Sequence, residues 1–306
     1  MRSVPLGSTT APNVVAGMMR IADKSDEEIR TLVATARDAG IDFFDHADIY
    51  GRELHECERR FAEALRLSPS ERDALTIQTK AGIVKDGPSF DFSYEHIVAS
   101  VDGSLAALRT DRIDVLLLHR PDALVEPDEV ARAFDELEES GKVRAFGVSN
   151  HTPRQIELLR SAVRQPIVAN QLQLSIPHAH IIAQGLVANT DDDGGVTRDG
   201  GGVLDYCRLN GITVQAWSPF QGEDGVFLGS PRYPELNAVI DEIAARHDVP
   251  AIAVATAWIT RHPAGMQVVL GTTTPQRVAD AALGSALELS RPEWYALLRA
   301  AGHRVP

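Results

Sequence analysis

Four side chains of this sequence, Asp45, Tyr50, Lys80 and His119, form a set suited to protonating a carbonyl oxygen. A tyrosine with an ordinary pKa of ~10 is a poor acid at neutral pH. An ammonium beside it stabilises the phenolate, so Lys80 is expected to lower the Tyr50 pKa toward the working range. Asp45 would keep that lysine charged and in position, which costs less than burying the ammonium alone. His119 could donate to the substrate oxygen, orient it and stabilise a developing alkoxide. Each residue alone has a plainer use: Asp45 as a helix cap, Lys80 reaching for solvent, His119 as a structural group. Their placement on successive elements raises the set above those uses.

Short runs rich in Val, Ile and Leu occur at 13–17, 41–45, 75–79, 113–118, 143–148, 166–170, 212–217 and 267–270. They mostly do not alternate with polar residues, as expected of strands buried on both faces. Helical patterns separate them. Ser25-Asp26-Glu27-Glu28 is a capping box, with Ile29, Leu32, Val33 and Ala36 on one face and Gly40 at the stop. Ser93 caps a helix carrying Ile97, Val101, Leu105 and Leu108. Pro127 opens one carrying Val130, Phe134 and Leu137, and Thr152-Pro153 begins another. Further helices are predicted over 201–209, 234–246, 251–261 and 275–283.

Eight strands, each followed by a helix, predict a (β/α)₈ TIM barrel spanning 1–306 as a single α/β domain with extended loops at its C-terminal face. An open doubly wound sheet is the competing arrangement, but 14–19 lacks the glycine fingerprint that should follow its first strand. In a barrel, chemistry sits at the C-terminal strand ends. Asp45 ends the second strand, Lys80 the third and His119 the fourth, with Tyr50 in the loop five residues past Asp45.

Composition narrows the function classes. The 306 residues are 44% hydrophobic and 24% charged, with a net charge of −13. That balance argues against nucleic acid or an anionic membrane as the main partner. Two cysteines, Cys57 and Cys207, are too few for a disulfide framework and point to a reducing compartment. With no signal-like apolar start and no run long enough to span a bilayer, a cytoplasmic location is expected.

Several features invite chemistry they do not support. His55-Glu56-Cys57-Glu58-Arg59 has arginine where a zinc-binding helix needs its second histidine. His178 and His180 are poorly spaced for a shared metal, so no metal site is expected. The acidic run at 191–193 lacks the spacing of a calcium loop. Trp258 and Trp294 fall at helical positions that suit the core.

The segments 45–51 (Asp-His-Ala-Asp-Ile-Tyr-Gly), Thr79-Lys80, 117–122 (Leu-Leu-His-Arg-Pro-Asp) and 141–150 together resemble the aldo-keto reductase superfamily. The first and third are especially similar to its YdhF-like bacterial branch. The resemblance implies an NADP(H)-dependent oxidoreductase, with NADH possible, that reduces an aldehyde or ketone by hydride transfer. It places the family's tetrad on Asp45, Tyr50, Lys80 and His119, with Tyr50 as general acid. It implies that Ser149, Asn150 and Gln171 bond the nicotinamide carboxamide, and that Trp217 stacks on the ring. Ser218, Phe220 and the 222–229 loop correspond to the segment over the pyrophosphate, while Gly17 and Met18 approach by backbone. Gly271, Thr272, Thr273 and Arg277 correspond to the 2′-phosphate site. Relatives often carry lysine at position 271 and asparagine at 281, where this chain has Gly271 and Ala281. His46 replaces a common threonine.

The expected partner is a small-molecule carbonyl compound, and the expected assembly a monomer or weak oligomer. Two alternatives stand beside the reductase. One is a cofactor-binding sensor or partner subunit, as the potassium-channel β-subunits of the superfamily illustrate; the other is a barrel aldolase using Lys80 as a Schiff-base nucleophile.

Overall fold

All eight apolar runs form strands, which pair in parallel in chain order until the eighth closes on the first. The computed structural model describes residues 1–85, 87, 89–187 and 202–305. The barrel strands are Val14–Gly17, Phe43–Asp45, Thr76–Ala81, Val115–Leu118, Phe146–Ser149, Ile167–Gln173, Thr213–Trp217 and Gln267–Leu270. Ile113 and Val143, expected as strand starts, make only an isolated bridge to each other.

The helices follow the local signals. Ser25 and Glu28 close a capping box on Asp26–Asp38, whose buried face is Ile29, Leu32, Val33 and Ala36. Ser93 caps Tyr94–Leu108, Pro127 opens Pro127–Glu139, and Thr152 forms a capping box on Pro153–Arg160. These apolar faces and the outward strand residues make a continuous core around the barrel. The paired indoles of Trp258 and Trp294 stack within it at 5.1 Å.

A smaller core fills the barrel: Val15, Phe43, Val115, Leu117, Ala169 and Val269 point inward and meet Leu6 and Ala11. Those last two belong to a hairpin, Ser3–Leu6 with Thr9–Pro12, that closes the N-terminal mouth. Thr213 Oγ1 anchors it by donating to the Pro5 carbonyl at 2.5 Å. The hairpin escaped the sequence reading because its strands are only four residues long and carry prolines, which demote a run as a strand. The helical position expected for Trp294 falls in the C-terminal helix Arg291–Ala300, whose capping box at Ser290 and Glu293 was not anticipated. The predicted helix over 201–209 begins at Val203, and the acidic run at 191–193 lies outside the described residues. Among the described residues no helix is long and apolar enough to cross a membrane.

Crowding inside the barrel leaves Gly147 no room for a side chain. A Cβ there would lie 2.6 Å from Leu117 Cδ2 and 2.8 Å from the Ala169 carbonyl oxygen. Gly147→Ala is therefore expected to destabilise the fold by roughly 1–3 kcal/mol. A chemical-denaturation midpoint equal to that of the parent protein would contradict this packing.

Candidate active site

The C-terminal strand ends enclose a cavity of about 1390 Å³. Asp45, Tyr50 and His119 line it, and Lys80 lies buried behind them. Lys80 Nζ donates to the Asp45 carboxylate oxygens at 2.7 and 2.8 Å, to the His46 carbonyl at 2.7 Å and to the Tyr50 hydroxyl oxygen at 3.1 Å. The His119 ring stands edge-on to Tyr50, with centroids 6.0 Å apart. The structure thus brings all four residues of the expected tetrad together.

Their electrostatics correct one expectation. Burial opposes the charged form of Lys80, but Asp45 and Tyr50 outweigh it and hold the ammonium above its ordinary range. For Tyr50, burial is the larger effect and raises its pKa, with Lys80 drawing it back only in part. The phenol is therefore not lowered toward neutrality, as the sequence suggested, because the pocket that brings the lysine close also removes water. Burial, helped by Lys80 and Arg120, keeps His119 well below its ordinary value and hence neutral at physiological pH.

Asp45 is itself held from beneath. Gln78 Nε2 donates to Asp45 Oδ1 at 2.6 Å and Gln171 Nε2 at 3.1 Å. Gln78 and Gln171 both reach Gln215, which donates to Gln267, and Gln267 donates to the Pro12 carbonyl of the hairpin. This buried glutamine chain was missed, although glutamines inside otherwise apolar strands were the available signal.

Tyr50 depends on its loop. Lys85 Nζ grips that loop from both sides of the tyrosine, donating to the carbonyls of Ile49 at 3.1 Å and Gly51 at 2.7 Å. Beneath it, Glu58 is fully buried, accepting from Thr79 at 2.5 Å and pairing with His55 at 2.6 Å. His46 is buried with both ring nitrogens unpartnered among the described residues, and burial holds its pKa down to about 4.

The residues matched to a cofactor site mostly converge. Gly17, Ser149, Asn150, Gln171, Trp217 and Ser218 line the cavity, as do Phe220, Gly271, Thr272, Thr273 and Arg277. Met18, expected to approach by backbone, has its side chain buried in the outer core, and Met19 and Arg20 follow it along the cavity wall. Gly17 is constrained sterically, since a Cβ there would sit 2.6 Å from the Leu270 carbonyl oxygen. Asn150 and Ser218 both adopt left-handed backbone, at φ 60° and 51°, an uncommon conformation that recurs at functional sites. Asn150 Oδ1 accepts from Trp217 Nε1 at 3.0 Å, and its Nδ2 donates to Ser149 Oγ at 2.8 Å. The predicted 222–229 loop holds a short hairpin, Gln221–Gly222 with Gly225–Val226, and Val226 and Leu228 face the cavity. Ala281 is fully buried against the core, so it presents nothing to a ligand.

These features fit a dinucleotide. Trp217 offers a broad aromatic face, Gly271 has open space beside it, and the helix Pro275–Leu283 starts next to three threonines and Arg277. Fold and site together define a barrel oxidoreductase. The Aldo/keto reductase family model matches residues 13–300. The 6-dehydroglucose reductase of Novosphingobium aromaticivorans is 34% identical over 300 residues, covering 95% of this chain and 92% of its own. Oxidoreductase YdhF of Escherichia coli is 33% identical over 305 residues, covering 95% and 94%. In fold, the chain is similar to the crystal structure of the thermostable aldo-keto reductase Tm1743 in complex with epalrestat, at TM-score 0.77 and 24% identity. That match covers 98% of this chain and 100% of the other. The chain belongs to the aldo-keto reductase family, whose oxidoreductases reduce carbonyl groups.

The Tyr50 loop carries a measurable charge cost. Burial and then Glu58 raise Asp48 to about 7 from a usual 3.8. A carboxyl raised on folding costs stability as pH climbs from its unfolded value to its folded one, and the loss is constant above that. Asp48→Asn should remove this decline, raising Tm at pH 8 by roughly 5 °C or more, with the gain shrinking toward pH 4.5. A gain independent of pH would assign it to packing instead.

Proposed function

We propose that this reductase uses NADPH, with NADH as a weaker alternative, to reduce an aldehyde or ketone, and that Tyr50 is its general acid. The observation that carries the reading is the direction of the Lys80–Tyr50 hydrogen bond. An ammonium only donates, so the Tyr50 oxygen accepts at 3.1 Å and its own hydrogen remains available to the cavity.

When bound, the nicotinamide supplies the hydride that forms the new C–H bond at the carbonyl carbon. Tyr50 gives its hydroxyl proton to the carbonyl oxygen, completing the alcohol, and its phenolate is stabilised by the adjacent ammonium. Neutral His119 orients the carbonyl by donating an N–H. Ser149, Asn150 and Gln171 would bind the carboxamide and Trp217 the ring face. Arg277 and the threonines at 272–274 would hold the 2′-phosphate, which is the support for NADP(H) over NAD(H). The aldolase alternative is disfavoured because an amine nucleophile must be neutral, whereas Asp45 keeps Lys80 protonated.

Titration with NADPH and NADH, followed by quenching of tryptophan fluorescence, tests the cofactor. Tighter NADPH binding that weakens about tenfold or more in Arg277→Ala is expected, a loss of the size of a charge-assisted phosphate contact. No quenching by either would overturn the reading. Tyr50→Phe should retain NADPH quenching and lose carbonyl turnover; retained turnover would remove Tyr50 from the mechanism, whereas slow parental turnover with tight binding would favour a sensor.

The pH profile supplies a further test. With its pKa raised, Tyr50 remains protonated through neutrality, so reduction should fall only on the alkaline side. In Lys80→Met the limb should move to still higher pH, because the ammonium is what draws the phenol down. An unmoved limb would assign it to another group.

A further inference from the structure

Four arginines line the cavity, and two of them are engaged within the protein. Arg52 pairs with Asp23, and Arg20 donates to the Gly271 carbonyl at 3.3 Å. Arg277 and Arg120 have no ion-pair or hydrogen-bond partner among the described residues. Arg277 follows the eighth strand and Arg120 the fourth, four places apart in a closed ring of eight. The cofactor reading employs Arg277 and leaves Arg120 with nothing to bind.

The acids nearest to Arg120 in the cavity and in the chain are committed elsewhere. Asp45 receives Lys80, Gln78 and Gln171, and Asp23 receives Arg52. Asp122, two residues on, accepts from the Phe92 amide at 3.0 Å and the Leu124 amide at 2.8 Å. Arg120 is held instead by an aromatic face, its Cζ 5.7 Å from the Trp217 ring centroid. Placed near a ring face and with no hydrogen-bond partner among the described residues, Arg120 has its N–H donors free for a planar or tetrahedral anion. It also directly follows His119, whose ring faces Tyr50, where the carbonyl would be reduced.

We propose that Arg120 is a specificity-determining residue that binds a carboxylate or phosphate carried by the carbonyl substrate. This rests on the reductase reading, and it narrows the substrate class to aldehyde or keto acids and phosphorylated aldehydes. With the carbonyl at Tyr50 and His119, the anion meets the guanidinium where it lies over the Trp217 ring. Arginine suits this role better than lysine because it offers two parallel donors in a fixed plane.

Matched substrate pairs test the assignment: 4-formylbenzoate against its methyl ester, and glycolaldehyde phosphate against glycolaldehyde, all with NADPH. The parent protein should favour the charged member of at least one pair tenfold or more in kcat/KM, and the preference should shrink as salt rises. The pair with the larger ratio identifies the anion. Arg120→Gln should bring that ratio near one, chiefly by raising KM for the charged member, and Arg120→Lys should fall between. Ratios near one in the parent protein, with the neutral members turned over, would overturn this proposal alone. Equal slowing of both members by Arg120→Gln would also overturn it, showing that Arg120 acts through His119. No turnover of any member and no NADPH quenching would overturn the reductase reading and this proposal with it.

Discussion

The buried ion pair between Lys80 and Asp45 is the constraint on which the rest of the site depends. A desolvated ammonium is tolerated only if its charge is balanced and its donors are used. Here the carboxylate and the His46 carbonyl take the three short contacts, and the Tyr50 oxygen receives the longer one. The lysine is thereby fixed in direction, and so is the tyrosine it touches. Neither residue could hold that arrangement alone, since Asp45 without Lys80 would be an unbalanced anion and Lys80 without Asp45 would shed its proton.

That demand extends through the barrel. Asp45 Oδ1 also accepts from two glutamines, whose same amide nitrogens donate to Gln215, and Gln215 and Gln267 carry the chain to the hairpin beneath. An amide inside a barrel is costly unless it is satisfied, and each glutamine here satisfies the next. The N-terminal hairpin therefore does more than cover apolar surface, because its Pro12 carbonyl terminates a network that ends at the candidate proton donor. Across the barrel wall, Thr79 points outward between inward-facing Gln78 and Lys80, and its hydroxyl fixes Glu58 under the Tyr50 loop. One strand thus supports the ion pair on its inner face and the tyrosine loop on its outer face.

How much of this was legible in the sequence follows from what each signal measures. Apolar runs and helix caps report local preferences, and the strands and the caps at Ser25, Ser93 and Thr152 were readable for that reason. The convergence of Asp45, Lys80 and His119 was readable because strand ends in a barrel share one rim. The direction of the Tyr50 pKa was not, because it depends on how much water the folded pocket excludes. The glutamine chain was likewise hidden: residues 78, 171, 215 and 267 are distant in sequence, and only the closed ring makes them neighbours.

Charge sets the last condition on any ligand. The chain carries a net −13, so an anionic dinucleotide approaches an envelope of its own sign. Salt screens such repulsion beyond ~8 Å at physiological ionic strength, so the outcome is decided by charges at the mouth itself. There the lining has four arginines against two aspartates, and both aspartates are already neutralised by cations of the protein. The cavity is a locally cationic site in an acidic molecule, and Arg120 and Arg277 have no acidic partner among the described residues. Anionic groups brought by a ligand would be drawn to those two guanidiniums, which no acid of the lining neutralises.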